Sequence, residues 1–147
     1  MAYSDIRAEI GTILAAVSGI GVVHDYRRWT NREEEFKTFY ESNSIINGWE
    51  YTRRGFSDNF ESTGPRYERI HDFLIVGYYG LDDSAASEKA NDTLVESIAS
   101  AFRAKPDLNG KCQMHEFIQG EVIELRMFAD TLVHYTELGL LVHEEVT

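Results

Sequence analysis

The sequence has little cysteine and no long apolar run, and each absence excludes a class of protein. Its single cysteine, Cys112, excludes an intrachain disulfide framework and favours a reducing compartment. The longest apolar run is the seven residues 73–79, whereas a membrane-spanning helix needs about 18–20 residues. Asp5, Arg7 and Glu9 interrupt the N-terminal positions that would be apolar in a secretory signal. We therefore expect a cytoplasmic protein with no membrane partner.

Basic residues are also scarce. The chain has 14 Lys and Arg against 25 Asp and Glu, which gives a formal net charge of −11. Proteins that grip nucleic acid use Lys and Arg to displace counterions from phosphates, so this balance argues against DNA or RNA binding. DNA could still pass close to such a surface without adhering to it.

Catalytic and metal motifs are missing as well. The chain has no Gly-rich phosphate loop, no cysteine pair with zinc spacing and no Gly-x-Ser-x-Gly elbow. The ending HEEVT, residues 143–147, resembles the His-Glu-x-x-His zinc motif, but Thr147 stands where the second histidine is needed, and strand-forming residues precede it. We predict no catalytic residue, no metal and no cofactor.

Two weaker chemical hypotheses stay open. The five histidines fall mostly on predicted strands beside acidic residues, and two or three of them would form a metal site if the strand register brought them together. Cys112, which we place in a strand, would be a catalytic nucleophile only if folding set a histidine beside it. Neither juxtaposition can be derived from the sequence.

The 147 residues, 43% apolar and 12% aromatic, are typical of one globular domain spanning 1–147. Apolar residues at helical spacing predict helices at 4–18, 31–42 and 84–104. Ser4 and Asn31 (with Thr30 as alternative) are the expected N-caps of the first two helices, and Gly80, Asp82, Asp83 and Ser84 are expected to end the strand and cap the third helix.

Alternating or continuous apolar residues predict six strands, at 22–29, 45–60, 67–81, 111–119, 121–128 and 131–146. A cluster of turn-forming residues predicts an exposed loop within 58–65. The order α-β-α-β-β-α-β-β-β has too few helices between strands for a parallel sheet. We predict an α+β fold in which an antiparallel sheet is packed on one side by the N-terminal helix and the long central helix.

Aromatic residues and arginines flank the predicted loop. Such side chains are enriched at the centres of protein–protein interfaces, so we predict an interface there. The charged end of the last strand is a second surface that could keep an edge soluble or meet a neighbouring subunit. The predicted interface residues are Tyr51, Arg53, Arg54, Phe56, Phe60, Arg66, Tyr67, His143 and Glu144.

The order of elements resembles a known family. A long apolar strand runs into a capped helix in HDFLIVGYYGLDDSAASEKANDTLVESIASAFRAKPDL, and the β-rich last third ends in the alternating strand TLVHYTELGLLVHEEV. With the N-terminal amphipathic helix, this layout is similar to the tail-terminator and tail-completion proteins of long-tailed bacteriophages and prophages. The resemblance covers most of the chain and includes no short diagnostic motif.

The resemblance implies a non-enzymatic subunit of a homo-oligomeric ring, commonly a hexamer, in the tail or neck of a virion assembled in a bacterial cytoplasm. Such a ring caps the tail tube, ends its polymerisation and joins it to the head. Its partners would be other copies of the chain, the tail tube protein and a head–tail connector or neck protein. DNA would pass through the lumen without specific binding.

Two other functions compete with this interpretation. The first is a small-ligand-binding protein or an isomerase- or dehydratase-like enzyme, with a pocket under a curved sheet and acid–base chemistry from His71-Asp72 and His24-Asp25. The second is an oligomeric bacterial interaction or chaperone-like adaptor. The order of helices and strands is the same in all three cases.

Overall fold

A computed structural model describes residues 2–30, 32–60 and 65–146, and within these ranges it has three α-helices and a seven-stranded mixed sheet. The predicted α+β class is confirmed. The helices are α1 (Tyr3–Ala15), α2 (Glu33–Tyr40) and α3 (Ser87–Arg103), the last preceded by a 3-10 turn at Asp83–Ala85. The strands are β1 (Val22–His24), β2 (Glu41–Ser42), β3 (Ile45–Phe60), β4 (Tyr67–Gly80), β5 (Met114–His115), β6 (Gln119–Phe128) and β7 (Thr131–Val146).

Three long antiparallel strands, in the order β3-β4-β7, form the centre of the sheet. β1 and β2 pair with the first part of β3, while β5 and β6 pair with different parts of the other side of β7. β1 is parallel to β3, which departs from the predicted antiparallel sheet. The reason is that α2 lies between β1 and β3 in the chain, so that this one connection is a β-α-β crossover.

One face of the sheet, which we call the helix face, is covered by α1 and α3 as predicted. The buried side of α1 meets that of α3 over alternate residues of the three central strands. Gly77 lies beneath the fully buried Trp49, and a Cβ at residue 77 would overlap the six-membered ring of that indole. Packing on this face is therefore tight enough to require a glycine.

The opposite face, which we call the α2 face, is covered by α2 over part of its length. Phe36 and Tyr40 of α2 pack on Tyr78 of β4, and Tyr135 of β7 belongs to the same buried cluster. The sheet is thus apolar on both faces in its core half, residues 45–52, 73–80 and 131–140. The remainder, residues 53–60, 67–72 and 141–146, is the distal half, and it includes the end of the β3–β4 hairpin.

Several predicted boundaries were wrong. The predicted strand at 22–29 ends at His24, because β1 pairs only with Gly48–Glu50 and the chain then leaves the sheet. α1 begins at Tyr3, with Ala2 and not Ser4 in the N-cap position. The predicted capping box at Asn31 and the loop residues 61–64 lie outside the described residues.

Cys112 lies in a bend and not in a strand, because the chain forms a series of turns after α3 before the short strand β5. Its side chain is buried and belongs to the core on the helix face. Burial raises the pKa of this thiol to about 12. A protonated, buried thiol is a poor nucleophile, so the structure does not favour the catalytic hypothesis.

Candidate functional site

The predicted interface residues of β3 and β4 fall in the distal half of the sheet or at its boundary. Beyond Glu50, β3 pairs only with β4 among the described residues, so that 51–60 form an open strand edge. Residues 55–60 are nearly all exposed. An edge with unpaired backbone groups is where another chain can add a strand.

Two arginines and one aromatic ring form a stacked group on the helix face of this hairpin. The guanidinium carbon of Arg53 lies 4.7 Å from the ring centre of Phe56, and that of Arg69 lies 4.3 Å from the same ring. Arg69 also makes two hydrogen bonds to Asp58, at 2.6 and 2.9 Å. The Phe56 ring is therefore held in place by cation–π contacts, although it remains 50% exposed.

The outermost predicted residues face solvent. Phe60 is 82% exposed, and the side chain of Arg66 is 60% exposed beside Glu145, at 3.2 Å. Tyr67 pairs with Phe60 across the hairpin and is partly buried. These residues form an aromatic and basic surface at the end of the hairpin.

Tyr51 and Glu144 were wrongly placed at the surface. Strand alternation directs Tyr51 under α1, where it is 1% exposed and its hydroxyl donates to the Arg7 carbonyl oxygen at 2.9 Å. Glu144 is 4% exposed because it turns inward to His71. Both side chains stabilise the subunit and are not accessible to a partner.

Arg54 is held within the subunit by two carboxylates. It lies on the α2 face and contacts Asp72 of β4 at 3.0 Å and Glu121 of β6 at 2.7 Å. The hydrogen bonds with Glu121 are the main reason that the pKa of Arg54 is raised. Arg54 therefore connects three strands.

His71 and Glu144 form a buried pair. Nε2 of His71 lies 2.9 Å from the Glu144 carboxylate, and Nδ1 accepts a hydrogen bond of 3.4 Å from Arg53. Burial lowers the pKa of His71 more than Glu144 raises it. The imidazole is therefore neutral near pH 7, with its proton on Nε2. Because His71 is 0% exposed, this pair has no access to a substrate.

The second predicted acid–base residue, His24, is far from this pair. Its ring packs against Tyr40 on the α2 face and its Nε2 donates to the Phe39 carbonyl oxygen at 2.6 Å. His71 stacks on Tyr3 on the helix face. The sheet separates the two histidines, so the structure does not bring them together.

His143 lies on the α2 face between two carboxylates, Glu68 at 3.0 Å and Glu116 at 2.9 Å. Partial burial opposes its protonation, but the hydrogen bonds to Glu116 and Glu68 outweigh burial and raise its pKa. Through its two ring nitrogens His143 joins β4, β7 and the segment before β6. Within the described ranges, no group of three or more His, Cys, Asp or Glu side chains has the geometry to hold a metal ion.

Sequence reasoning missed a pocket of about 260 Å³ on the α2 face. Beside it, the buried Glu50 accepts a hydrogen bond from the Tyr40 hydroxyl and lies 2.6 Å from Arg27. Burial raises the pKa of Glu50. The only indication of this site in the sequence was that Glu50, an acidic residue, lies between Trp49 and Tyr51 in a predicted strand. The pocket is lined by Arg27, Arg28, Trp29, Thr30, Phe36, Tyr40, Tyr78 and Phe128.

The second missed feature is an apolar row on β6. Ile123, Leu125 and Met127 project on the helix face and are each more than half exposed, at 54%, 53% and 60%. β6 pairs only with β7 among the described residues, so its other edge is open. The alternation of these residues with Glu124 and Arg126 was visible in the sequence, but the open edge was not.

No protein-family model matches this chain, and no curated protein sequence is significantly similar to it. The resemblance to phage tail terminators therefore stays a prediction. Among the described helices, none combines the length and apolar character that crossing a bilayer requires.

Proposed function

We propose that this chain is a non-enzymatic structural subunit of a bacteriophage tail terminator. Six copies would form a ring that caps the tail tube, ends its polymerisation and joins the tail to a neck or connector protein of the head. The observation that supports this proposal best is the end of the β3–β4 hairpin, where an open strand edge coincides with exposed aromatic and basic side chains.

The chemistry of the hairpin suits contact with protein. Phe60 and Arg66 are solvent-exposed in the isolated subunit. Aromatic residues and arginines are enriched at the centres of protein–protein interfaces, where binding removes them from water. Arg53 and Arg69 hold the Phe56 ring in one position, which reduces the entropy lost on binding. A neighbouring subunit is the proposed occupant, since a ring needs a contact that repeats from copy to copy.

The net charge of −11 is compatible with DNA passing through a ring of such subunits. An acidic lumen repels the phosphate backbone and offers few cations to replace its counterions. The same charge would keep the free subunit soluble before assembly.

The small-ligand alternative is favoured by one observation, the aromatic pocket beside Glu50. Its volume of about 260 Å³ is slightly below the roughly 300–1,000 Å³ of typical ligand sites. The Tyr40 hydroxyl donates to the Glu50 carboxylate, and Arg27 lies 2.6 Å from it. A carboxylate that acts as a base would have to be free of such partners. We therefore place this alternative second.

The solution mass separates the two functions. We expect native mass spectrometry and light scattering to find a particle of about six times the subunit mass of 16.8 kDa, or a multiple of that mass, with a central hole by electron microscopy. Added to polymerising tail tubes, the ring should stop their growth. A monomer at all accessible concentrations, with ligands that bind in the pocket, would reject the ring.

Two hairpin variants test the contact itself. Phe60→Ser and Arg66→Glu should each reduce the ring population while leaving the far-UV and near-UV circular dichroism unchanged. Trp29→Ser is the matched control, because Trp29 is 92% exposed but lies away from the hairpin. Equal assembly of all three variants would remove the hairpin from the ring contact.

A further inference from the structure

We infer that β6 pairs with β6 of a second copy of this chain, antiparallel about a two-fold axis that passes through Leu125. This contact uses the opposite edge of the sheet from the hairpin. It is therefore independent of the proposed ring contact and can be tested without it.

The unpaired edge of β6 is the first argument. Proteins usually protect such an edge with charges, prolines or a covering segment. Here Ile123, Leu125 and Met127 stand in a row beside the open edge and remain more than half exposed. An exposed apolar edge strand favours pairing with another strand.

The sequence of β6 is the second argument, because it is complementary to itself when reversed. In Ile123-Glu124-Leu125-Arg126-Met127, an antiparallel pair centred on Leu125 sets Glu124 opposite Arg126 of the other copy, twice. On the other face, Ile123 lies opposite Met127, and the two copies of Leu125 face each other. A strand register with like charges opposed is thereby avoided.

The positions of Glu124 and Arg126 within the subunit permit ion pairs with the second copy. Glu124 and Arg126 are paired on the α2 face, with Nε of Arg126 2.7 Å from the carboxylate, and both side chains are more than 40% exposed. Directly opposed Cβ atoms in an antiparallel pair are about 4.5–5.5 Å apart. Each carboxylate could therefore reach a guanidinium on the second copy as well as its own.

The helices leave room for the contact. α3 lies over β4 and β7, and on β7 Ser87 hydrogen bonds to His134 at 2.8 Å and Asn91 to Thr136 at 3.4 Å. Three strand spacings of about 4.8 Å would separate β7 from its counterpart, about 14 Å in all. A helix with its side chains is about 10–12 Å wide. The two apolar rows would fill the channel between the two α3 helices.

The decisive experiment mixes two charge variants in a Phe60→Ser, Arg66→Glu background, which removes the proposed ring contact. Glu124→Arg places arginines at both positions 124 and 126, and Arg126→Glu places glutamates at both. Each alone should dimerise on the order of tenfold more weakly than the background protein, because like charges oppose each other. Their equimolar mixture should form a heterodimer by native mass spectrometry.

Loss of the Glu124–Arg126 pair within one subunit cannot explain this result, since both variants in the mixture lack that pair. A mixture that stays monomeric, or single variants that dimerise as the background does, would overturn the inference. The ring proposal would not be affected, because its test uses the other edge.

Disulfide trapping gives a second readout of the same axis. Leu125→Cys should form an intermolecular disulfide under mild oxidation, because the two copies of residue 125 face each other. Trp29→Cys, at a position that is 92% exposed against 53% for Leu125, should form far less under the same conditions. Equal cross-linking of the two variants would contradict pairing at Leu125.

Discussion

The core half and the distal half of the long β3-β4-β7 ladder are stabilised in different ways. In the core half, apolar side chains are buried on both faces, and the fit of Trp49 over Gly77 leaves no space for a methyl group. In the distal half, guanidinium, imidazole and carboxylate groups satisfy one another. Shape determines most of the packing in the first region, where Glu50 and its partners are the main buried polar group, and polar pairing determines most of it in the second.

The difference explains why the β3–β4 hairpin carries its exposed aromatic and basic surface on the distal half only. In a close-packed core, displacing one side chain disturbs its neighbours and lowers stability. A strand whose side chains are fixed by ion pairs can leave its edge and its outermost aromatic rings exposed to solvent. The distal half keeps Phe60 in solvent without losing its register with Tyr67. The following variants test this contrast, from the largest expected effect to the smallest.

Gly77→Val should be the most damaging change. The new side chain would overlap the Trp49 ring, and overpacking of this kind lowers the free energy of unfolding by about 3 kcal/mol. Gly55→Ala in the distal half is the control, since a Cβ there meets nothing within 4 Å. It should change stability by less than about 0.5 kcal/mol. Urea unfolding followed by circular dichroism measures both, and equal midpoints would contradict the contrast.

Glu144→Ala should lower the free energy of unfolding by about 2 kcal/mol, because it leaves the buried Nε2–H of His71 without an acceptor. Glu145→Ala removes a carboxylate whose side chain is 33% exposed beside Arg66. A surface ion pair contributes at most about 1 kcal/mol, and often nothing measurable. Thermal unfolding of the two variants should therefore differ clearly, and a common melting temperature would count against the buried pair.

His71 should make the protein less stable in acid. The pKa of His71 is lowered in the folded state. Above pH 6.5 the ring is neutral in both the folded and the unfolded state, so its titration does not change the free energy of unfolding. As the pH falls below 6.5, the unfolded chain binds a proton that the folded protein excludes, and stability decreases. His71→Gln should flatten this dependence between pH 7.5 and 5.5. An unchanged slope in urea titrations would show that His71 does not cause it.

His143 should have a smaller effect of opposite sign. Its pKa is raised by Glu116 and Glu68 against partial burial, so its stabilisation is complete below pH 6.5 and is lost as the pH rises through the folded-state pKa. The difference between wild type and His143→Gln should be largest near pH 5, up to about 1 kcal/mol, and shrink towards pH 8. A difference that grows with pH would contradict a raised pKa for His143.

Local patterns predicted the fold class and the order of the main elements. The helical spacing of apolar residues identified α1 and α3, and the continuous run 73–79 identified β4 as a central strand. Each of these signals lies within one continuous segment of the sequence. The parallel pairing of β1 could not be predicted, because it depends on which strand lies beside it after α2 has crossed the sheet.

The candidate site was predictable in part for the same reason. Phe56, Phe60 and Arg66 flank a turn-rich segment, and that context indicates exposure. Glu144 carried no such signal, since its burial depends on the β4–β7 register, which aligns it with Arg69 beside His71. The open edge of β6 likewise depends on how the whole sheet is ordered.

The single buried thiol makes this chain its own reporter of motion. Cys112 is 4% exposed and protonated, so alkylating reagents can reach and activate it only when the turns after α3 open. The rate of alkylation would therefore measure the frequency of that opening. Repeated with the hairpin and β6 variants, it would show whether the proposed contacts at the two sheet edges are transmitted to the core.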